Sequence, residues 1–160
     1  MIKVDNLFSS SSELIQGLKL IHPEVFYDQR GYFLESWNQK TFNTKIYPSI
    51  DFFQDNHSSS TKWTLRGLHY QLPPYEQGKL VRCVHGEIFD VAIDLRRSSS
   101  TFGQWASVYL SAHNFNQLFI PAGFAHGFLT LSDKAEVLYK ATNYWNKEAE
   151  RSIIWNDSFL

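Results

Sequence analysis

The sequence predicts an all-β fold, a sandwich or barrel of antiparallel strands. Three observations lead to it. Short apolar runs recur at similar spacing, with turn residues between them. Long helical periodicity is missing. Aromatic residues, which favour strands, make up 16% of the 160 residues: 13 Phe, 8 Tyr and 5 Trp.

The elements follow in order. One short helix is expected around Asn38–Asn43, where Gln39, Lys40 and Phe42 are acceptable helix residues. Leu80–Val84 and Glu87–Leu95 are rich in Val, Ile and Phe, and Gly86 marks the turn between them. Trp105–Leu110, Gln117–Ile120, Gly127–Leu131 and Ala135–Tyr144 complete the strand set. Serine clusters at Ser9–Ser12, Ser58–Ser60 and Ser98–Ser100 read as loops. Within Glu87–Leu95, Phe89, Val91, Ile93 and Leu95 share one face, and Ile88, Asp90, Ala92 and Asp94 share the other. One face is apolar and the other half polar. That pattern fits a surface sheet, and equally a barrel whose interior holds a polar ligand.

Length implies a single domain over residues 1–160. A domain of this size buries roughly 70% of its unfolded surface, so it needs no disulfide or metal to fold. The 15 basic and 16 acidic residues, net −1, exclude a dedicated nucleic-acid binder, which needs clustered positive charge. Cys83 is the one cysteine, so no internal disulfide forms. Met1 to Leu20 contain Lys3, Asp5, Glu13 and Lys19 with no continuous apolar run. Neither a signal peptide nor a membrane span fits, and a cytoplasmic location is expected. Asn56-His57-Ser58 and Asn156-Asp157-Ser158 match the glycosylation pattern and read as chance matches.

Chemistry-bearing residues concentrate in two stretches. The first is Leu65-Arg66-Gly67-Leu68-His69-Tyr70-Gln71, followed by Gln77-Gly78-Lys79-Leu80-Val81-Arg82. The second is Ile120-Pro121-Ala122-Gly123-Phe124-Ala125-His126-Gly127, whose Pro-x-Gly-x-x-His looks like the second motif of the cupin superfamily. Around them, in order, stand Asp28-Gln29-Arg30-Gly31-Tyr32-Phe33-Leu34-Glu35, Gln54-Asp55-Asn56-His57-Ser58, Phe89-Asp90-Val91-Ala92-Ile93-Asp94, Thr101-Phe102-Gly103-Gln104-Trp105 and Leu138-Tyr139-Lys140-Ala141-Thr142-Asn143-Tyr144. This ordered series resembles the dTDP-4-dehydrorhamnose 3,5-epimerase family over about residues 16–157.

The resemblance implies a cupin-like jelly-roll barrel of antiparallel strands with one or two short helices. It implies a homodimer in which an N-terminal segment reaches the partner's site. It implies a dTDP-4-keto-6-deoxy-glucose substrate, inverted at C5 and C3, with no cofactor because the C4 ketone acidifies both C–H bonds. His69 matches the family's base, Tyr139 its proton donor, and Lys79 the residue near the ketone oxygen. These residue types suit such chemistry. Imidazole is neutral near pH 7, a fixed cation stabilises an enolate, and a phenol can return a proton. Arg30, Glu35, Gln54, Asn56, Arg66, His126 and Glu150 match substrate-contacting positions. Arg presents a planar fork to paired phosphate oxygens. Trp145 stands where the family has a tyrosine that stacks on thymine, and its larger face suits the same use.

Four further expectations follow from these residues. Arg66 and His69 point to opposite faces of an ideal strand, so serving one substrate requires a bend at Gly67 or a reach over the barrel rim. Metal-binding cupins usually carry His-x-His, but here the run is His69-Tyr70-Gln71, so no metal is expected. His22, His57, His85 and His113 are scattered and expected to be exposed. Finally, the family pattern continues past the position of Leu160 to an aspartate that supports the catalytic histidine and a substrate-binding lysine, neither with a counterpart in these 160 residues. Three alternatives arise: Asp90 or Asp94 takes over the support, the enzyme acts at C3 or C5 alone, or the chain is a non-catalytic sugar-nucleotide-binding cupin.

Overall fold

The computed structural model describes residues 2–158 and 160. In chain order the elements are β1 Lys3–Phe8, β2 Leu14–His22, β3 Val25–Asp28, β4 Gly31–Leu34, α1 Gln39–Lys45, β5 Gln54–Thr61 and β6 Leu65–Gln71. Then come β7 Lys79–His85, β8 Glu87–Asp94, β9 Trp105–Ser111, β10 Gln117–Ile120, β11 Phe124–Thr130, β12 Lys134–Ala141 and β13 Glu150–Ser152. They form a six-stranded sheet ordered β1-β2-β10-β7-β12-β5 and a five-stranded sheet ordered β13-β6-β11-β8-β9, both antiparallel. The two sheets face one another as a jelly-roll barrel.

Alternation along the strands decides what lies between the sheets. Ile15, Leu18, Val81, Ile88, Ala92, Leu110, Leu118, Ile120 and Val137 form the enclosed core. The half-polar face of β8 points inward with them: Ile88, Asp90, Ala92 and Asp94 are fully buried. Its apolar face, Phe89, Val91 and Ile93, lines an outer groove instead. Of the two arrangements the β8 pattern allowed, the barrel with a partly polar interior is the one formed.

The helix forms where expected, one residue later at its start. Asn38 caps it, its side chain accepting from the Thr41 N–H at 3.0 Å. Phe42 is its buried anchor, set against Ile21, Leu80 and Phe119 on the outer face of the six-stranded sheet.

Some boundaries differ. Ser58–Ser60, read as a loop, lie in β5, because pairing with β12 (Ser58↔Val137, Ser60↔Ala135) overrides weak strand propensity. β12 stops at Ala141 rather than Tyr144, where the Thr142 hydroxyl accepts from Gly78 N–H at 2.7 Å and the chain turns out of the sheet. β8 stops at Asp94 rather than Leu95, its carboxylate turning back to accept from the Arg96 N–H.

The bend at Gly67 is present. β6 and β11 pair as His69↔His126 and Arg66↔Phe128. Between those pairs β6 carries Gly67 and Leu68 against Gly127 alone, a β-bulge. Gly67 has φ +122°, and a Cβ there would meet Gly127 Cα at 2.4 Å and the His126 carbonyl oxygen at 2.8 Å. Gly67→Ala is therefore expected to cost about 3 kcal/mol in urea unfolding. A cost under about 1 kcal/mol would mean the strands can part without penalty.

Candidate active site

The bulge puts Arg66 and His69 on one face of the sheet, in a cleft that leaves both exposed to solvent. Both line a cavity of about 130 Å³ with Ser58, Lys79, His126 and Tyr139. A smaller cavity of about 60 Å³ continues from it, lined by His69, Gln71, Gln77, Lys79, Tyr139, Trp145 and Glu150. Register brings these side chains together. His69 stands opposite His126, Tyr139 opposite Asn56, Ala141 opposite both Lys79 and Gln54, and Glu150 opposite Gln71. His69 belongs to the five-stranded sheet and Tyr139 to the six-stranded one, so they address the cleft from opposite walls.

The electrostatics differ residue by residue. Burial pulls the His69 pKa below its ordinary 6.5; Glu150 opposes the shift, while Lys79, His126 and Arg66 add to it. Its imidazole is thus neutral at pH 7. Burial of the Lys79 ammonium brings its pKa from 10.5 down to about 8, against the attraction of Asp90 and Glu150. Tyr139 is pushed up by burial and by Glu150, which keeps the phenol protonated. Lys79 Nζ lies 5.9 Å from the Tyr139 ring centroid.

His126 is held differently. Its Nε2 is 2.9 and 3.0 Å from the two carboxylate oxygens of Asp90, and both residues are buried. That answers the question of which aspartate supports His69: neither Asp90 nor Asp94 does. Asp90 is committed to His126. Asp94 accepts from Arg96, Ser99 and Thr101, which hold its pKa near 2 against the opposing effect of burial. The carboxylate that acts electrostatically on His69 is Glu150.

The remaining predicted residues divide. Gln54 and Asn56 line neither cavity; Gln54 accepts from the N–H of Trp145, a lining residue, at 3.0 Å and donates to Asn56 at 2.9 Å. Arg66 is steadied by Ser60 Oγ at 2.8 Å and the Ser59 carbonyl. Trp145, 54% exposed, stands at the rim and donates from Nε1 to Glu150 at 3.2 Å. Arg30 and Glu35 do not line either cavity. Arg30 sits at the tip of the β3–β4 hairpin, paired with Asp28 and 90% exposed. Glu35 accepts from Asn38 instead.

Sequence reasoning missed the latch that carries Trp145 and Glu150. Gln71 accepts from Asn146 N–H at 2.7 Å and donates to the Tyr144 carbonyl. Asn146 in turn accepts from the Glu148 and Ala149 N–H groups. The signal was an Asn followed two and three residues on by backbone donors, an Asx turn visible only with the fold in hand. His22 also departs from expectation: it is half-buried, with Nε2 2.9 Å from Asp5. Among the described residues no group of three His, Cys, Asp or Glu is placed to hold a metal. No described helix is long and apolar enough to cross a membrane. A larger groove of about 430 Å³, between Leu65, Phe89, Trp105 and Trp155, lies outside the barrel and away from these groups.

Fold and site together define a cupin-like barrel with groups suited to proton transfer, a neutral imidazole, a protonated phenol and a desolvated ammonium around one cleft. Comparison with known proteins narrows this. Residues 12–160 match the model of the dTDP-4-dehydrorhamnose 3,5-epimerase family. The dTDP-4-dehydrorhamnose 3,5-epimerase of Shigella flexneri is 59% identical over 146 residues, covering 91% of this chain and 81% of that protein. RmlC from Legionella pneumophila Philadelphia 1, solved with dTDP-4-keto-L-rhamnose, superposes with a TM-score of 0.90 at 44% identity, covering 98% of this chain and 81% of that one. ChmJ, a 3′-monoepimerase from Streptomyces bikiniensis solved with dTDP-quinovose, superposes with a TM-score of 0.83 at 30% identity, covering 95% and 75%. The chain belongs to the dTDP-4-dehydrorhamnose 3,5-epimerase family. It is an enzyme, an epimerase of a dTDP-4-keto-6-deoxyhexose.

The Lys79 shift makes a prediction about stability. The unfolded chain binds a proton at this lysine up to 10.5, whereas the folded one releases it near 8. Stability is therefore penalised below pH 8 and recovers between 8 and 10.5. Lys79→Met is expected to exceed the wild type by up to about 3 kcal/mol at pH 7. That gap, read by urea unfolding, should narrow as pH rises; a pH-independent gap would contradict the burial of the charge.

Proposed function

We propose that this chain, one epimerase domain over residues 1–160, inverts both C5 and C3 of dTDP-4-keto-6-deoxy-glucose through an enolate. The observation that carries the reading is the pairing of a neutral His69 with a protonated Tyr139 on opposing sheets around one cleft. His69 takes the proton from the carbon beside the ketone. The C–H electron pair moves toward C4, and the carbonyl oxygen gains negative charge. Lys79, protonated at neutral pH, meets that charge where it develops, so it favours the transition state over the ground state. Tyr139 then protonates the carbon from the other side, which inverts it. Exchange with water restores the phenol and the neutral imidazole. The ketone supplies the acidity, so the reading needs no cofactor and no metal.

Binding follows from charge and flat surfaces. Arg66 faces the diphosphate, Trp145 stacks on the base, and Gln54, Asn56, His126 and Glu150 surround the sugar nucleotide. Arg30 and Glu35 serve the partner's cleft in a homodimer with exchange of the N-terminal segment. Two observations support that placement. Arg30 is exposed and lines neither cavity of its own chain, and the hairpin that carries it exposes Phe26, Tyr27, Tyr32 and Phe33. Such a concentration of exposed aromatics favours a protein–protein contact. A cytoplasmic location fits the free thiol of Cys83.

The test is isotope exchange. The protein is incubated in D₂O with dTDP-4-keto-6-deoxy-glucose, and C3 and C5 are followed by NMR. Deuterium is expected at both carbons. His69→Ala should slow exchange by about 10²–10⁴-fold while keeping nucleotide binding. Tyr139→Phe should retain exchange but lose inversion. Exchange at one carbon alone would replace the double epimerase by a mono-epimerase of the ChmJ kind, and nucleotide binding without exchange would replace it by a binding module. A His69→Ala variant exchanging at the wild-type rate would overturn the choice of base.

A further inference from the structure

Three groups bear on His69 in the sense that weakens it as a base: Arg66 on its own strand, Lys79 on β7 and His126 on β11. Tyr139 on β12 also lines the cleft but stays neutral. Asp90 on β8 reaches Lys79 electrostatically, yet its oxygens are bonded to His126. Once His69 has taken a proton, it is an imidazolium among cations in a partly dry cleft, an arrangement that costs free energy unless an anion answers it. Among the described residues that line the two cavities, one is a carboxylate: Glu150.

Its placement is built in. β13 runs antiparallel beside β6, with Ser152 opposite His69 and Glu150 opposite Gln71. Residues 69 and 71 share a face, so Glu150 stands on the His69 side of the sheet, one diagonal step away. The Trp145 indole donates to its carboxylate at 3.2 Å. The loop that precedes β13 is pinned by Gln71 and Asn146, and the Glu150 N–H itself donates to the Asn146 carbonyl at 3.1 Å.

We infer that Glu150 is a positioning residue for the base, a fixed carboxylate that stabilises the His69 imidazolium formed on proton abstraction. This deepens the epimerase reading and rests on it, but it assigns Glu150 a role that substrate contact alone does not require. The same carboxylate helps keep Lys79 charged and Tyr139 protonated. Its partner Trp145 is the ring placed to stack on the nucleotide base, so seating the nucleotide and tuning the base share one indole.

The test reads His69 directly. Imidazole NMR titration of the ligand-free protein is compared for wild type, Glu150→Gln and Glu150→Asp, and the pH profile of C5 exchange is recorded for each. In Glu150→Gln the His69 titration should move to lower pH, and the acidic limb of the exchange profile should move with it. The basic limb, set by Lys79, should move the same way. Glu150→Asp, with the charge kept at shorter reach, should titrate between the two. An unmoved His69 titration in Glu150→Gln overturns the inference even if substrate binding weakens. Should Glu150→Gln fail to fold, a Glu150→Asp titration matching the wild type, with slowed exchange, overturns it as well, and a lowered one upholds it. The titration does not depend on turnover, so absence of exchange in the wild type would sink the epimerase reading while leaving this result readable.

Discussion

The site depends on one irregularity, the bulge that opposes Gly67 and Leu68 to Gly127. Regular pairing would send Arg66 and His69 to opposite sides of the sheet. With one extra residue on β6, both line the same open cleft, and Leu68 packs on the other side of the sheet against Ile93 and Ala125. The irregularity is stabilised from both strands: only glycine tolerates φ +122° at the bulge, and Gly127 provides the close approach opposite it. Backbone geometry therefore comes before chemistry here. Arg66 and His69 line one cavity because the ladder is broken between them.

Barrel stability and barrel chemistry are divided lengthwise. One part of the interior is filled by aliphatic side chains from both sheets. The other part holds polar groups, and these are balanced rather than merely tolerated. Asp90 answers His126 in a buried pair, and Glu150 faces His69 and Lys79. A buried charge without a partner would cost several kcal/mol. The incomplete compensation at Lys79, with its pKa near 8, is a cost to the fold that the proposed role toward an enolate would explain.

Much of this is legible in the sequence, for physical reasons. Strands β7 to β12 carry dense Val, Ile and Phe with turn residues between them, and they form within a few residues of their expected bounds, whereas the short polar β13 carries no such signal. β1 and β5 are held by pairing with β2 and β12 more than by their own Lys-, Asp- and Ser-containing sequences, so periodicity does not reveal them. The cleft residues His69, Lys79, Tyr139, Arg66 and His126 are individually visible because each sits in a distinctive run. Their convergence is not, since it depends on strand register. Nor are the commitments of the aspartates: the sequence offers Asp90 or Asp94 as one alternative for supporting His69, while three-dimensional pairing gives Asp90 to His126 and Asp94 to the Arg96 turn. Arg30 and Glu35 lie outside their own chain's cleft because the hairpin that carries Arg30 projects from the barrel.

At the centre stands the Gly67 bulge, which creates a two-walled cleft with His69 and Tyr139, the proposed base and acid, on opposing sheets. A crystal structure with a dTDP-4-keto-6-deoxyhexose analogue bound tests this most directly. The sugar ring is expected between His69 and Tyr139, one on each ring face, with the C4 oxygen toward Lys79 and the diphosphate toward Arg66. A sugar seated in the outer groove between Leu65 and Trp155, or His69 and Tyr139 on the same ring face, would contradict it.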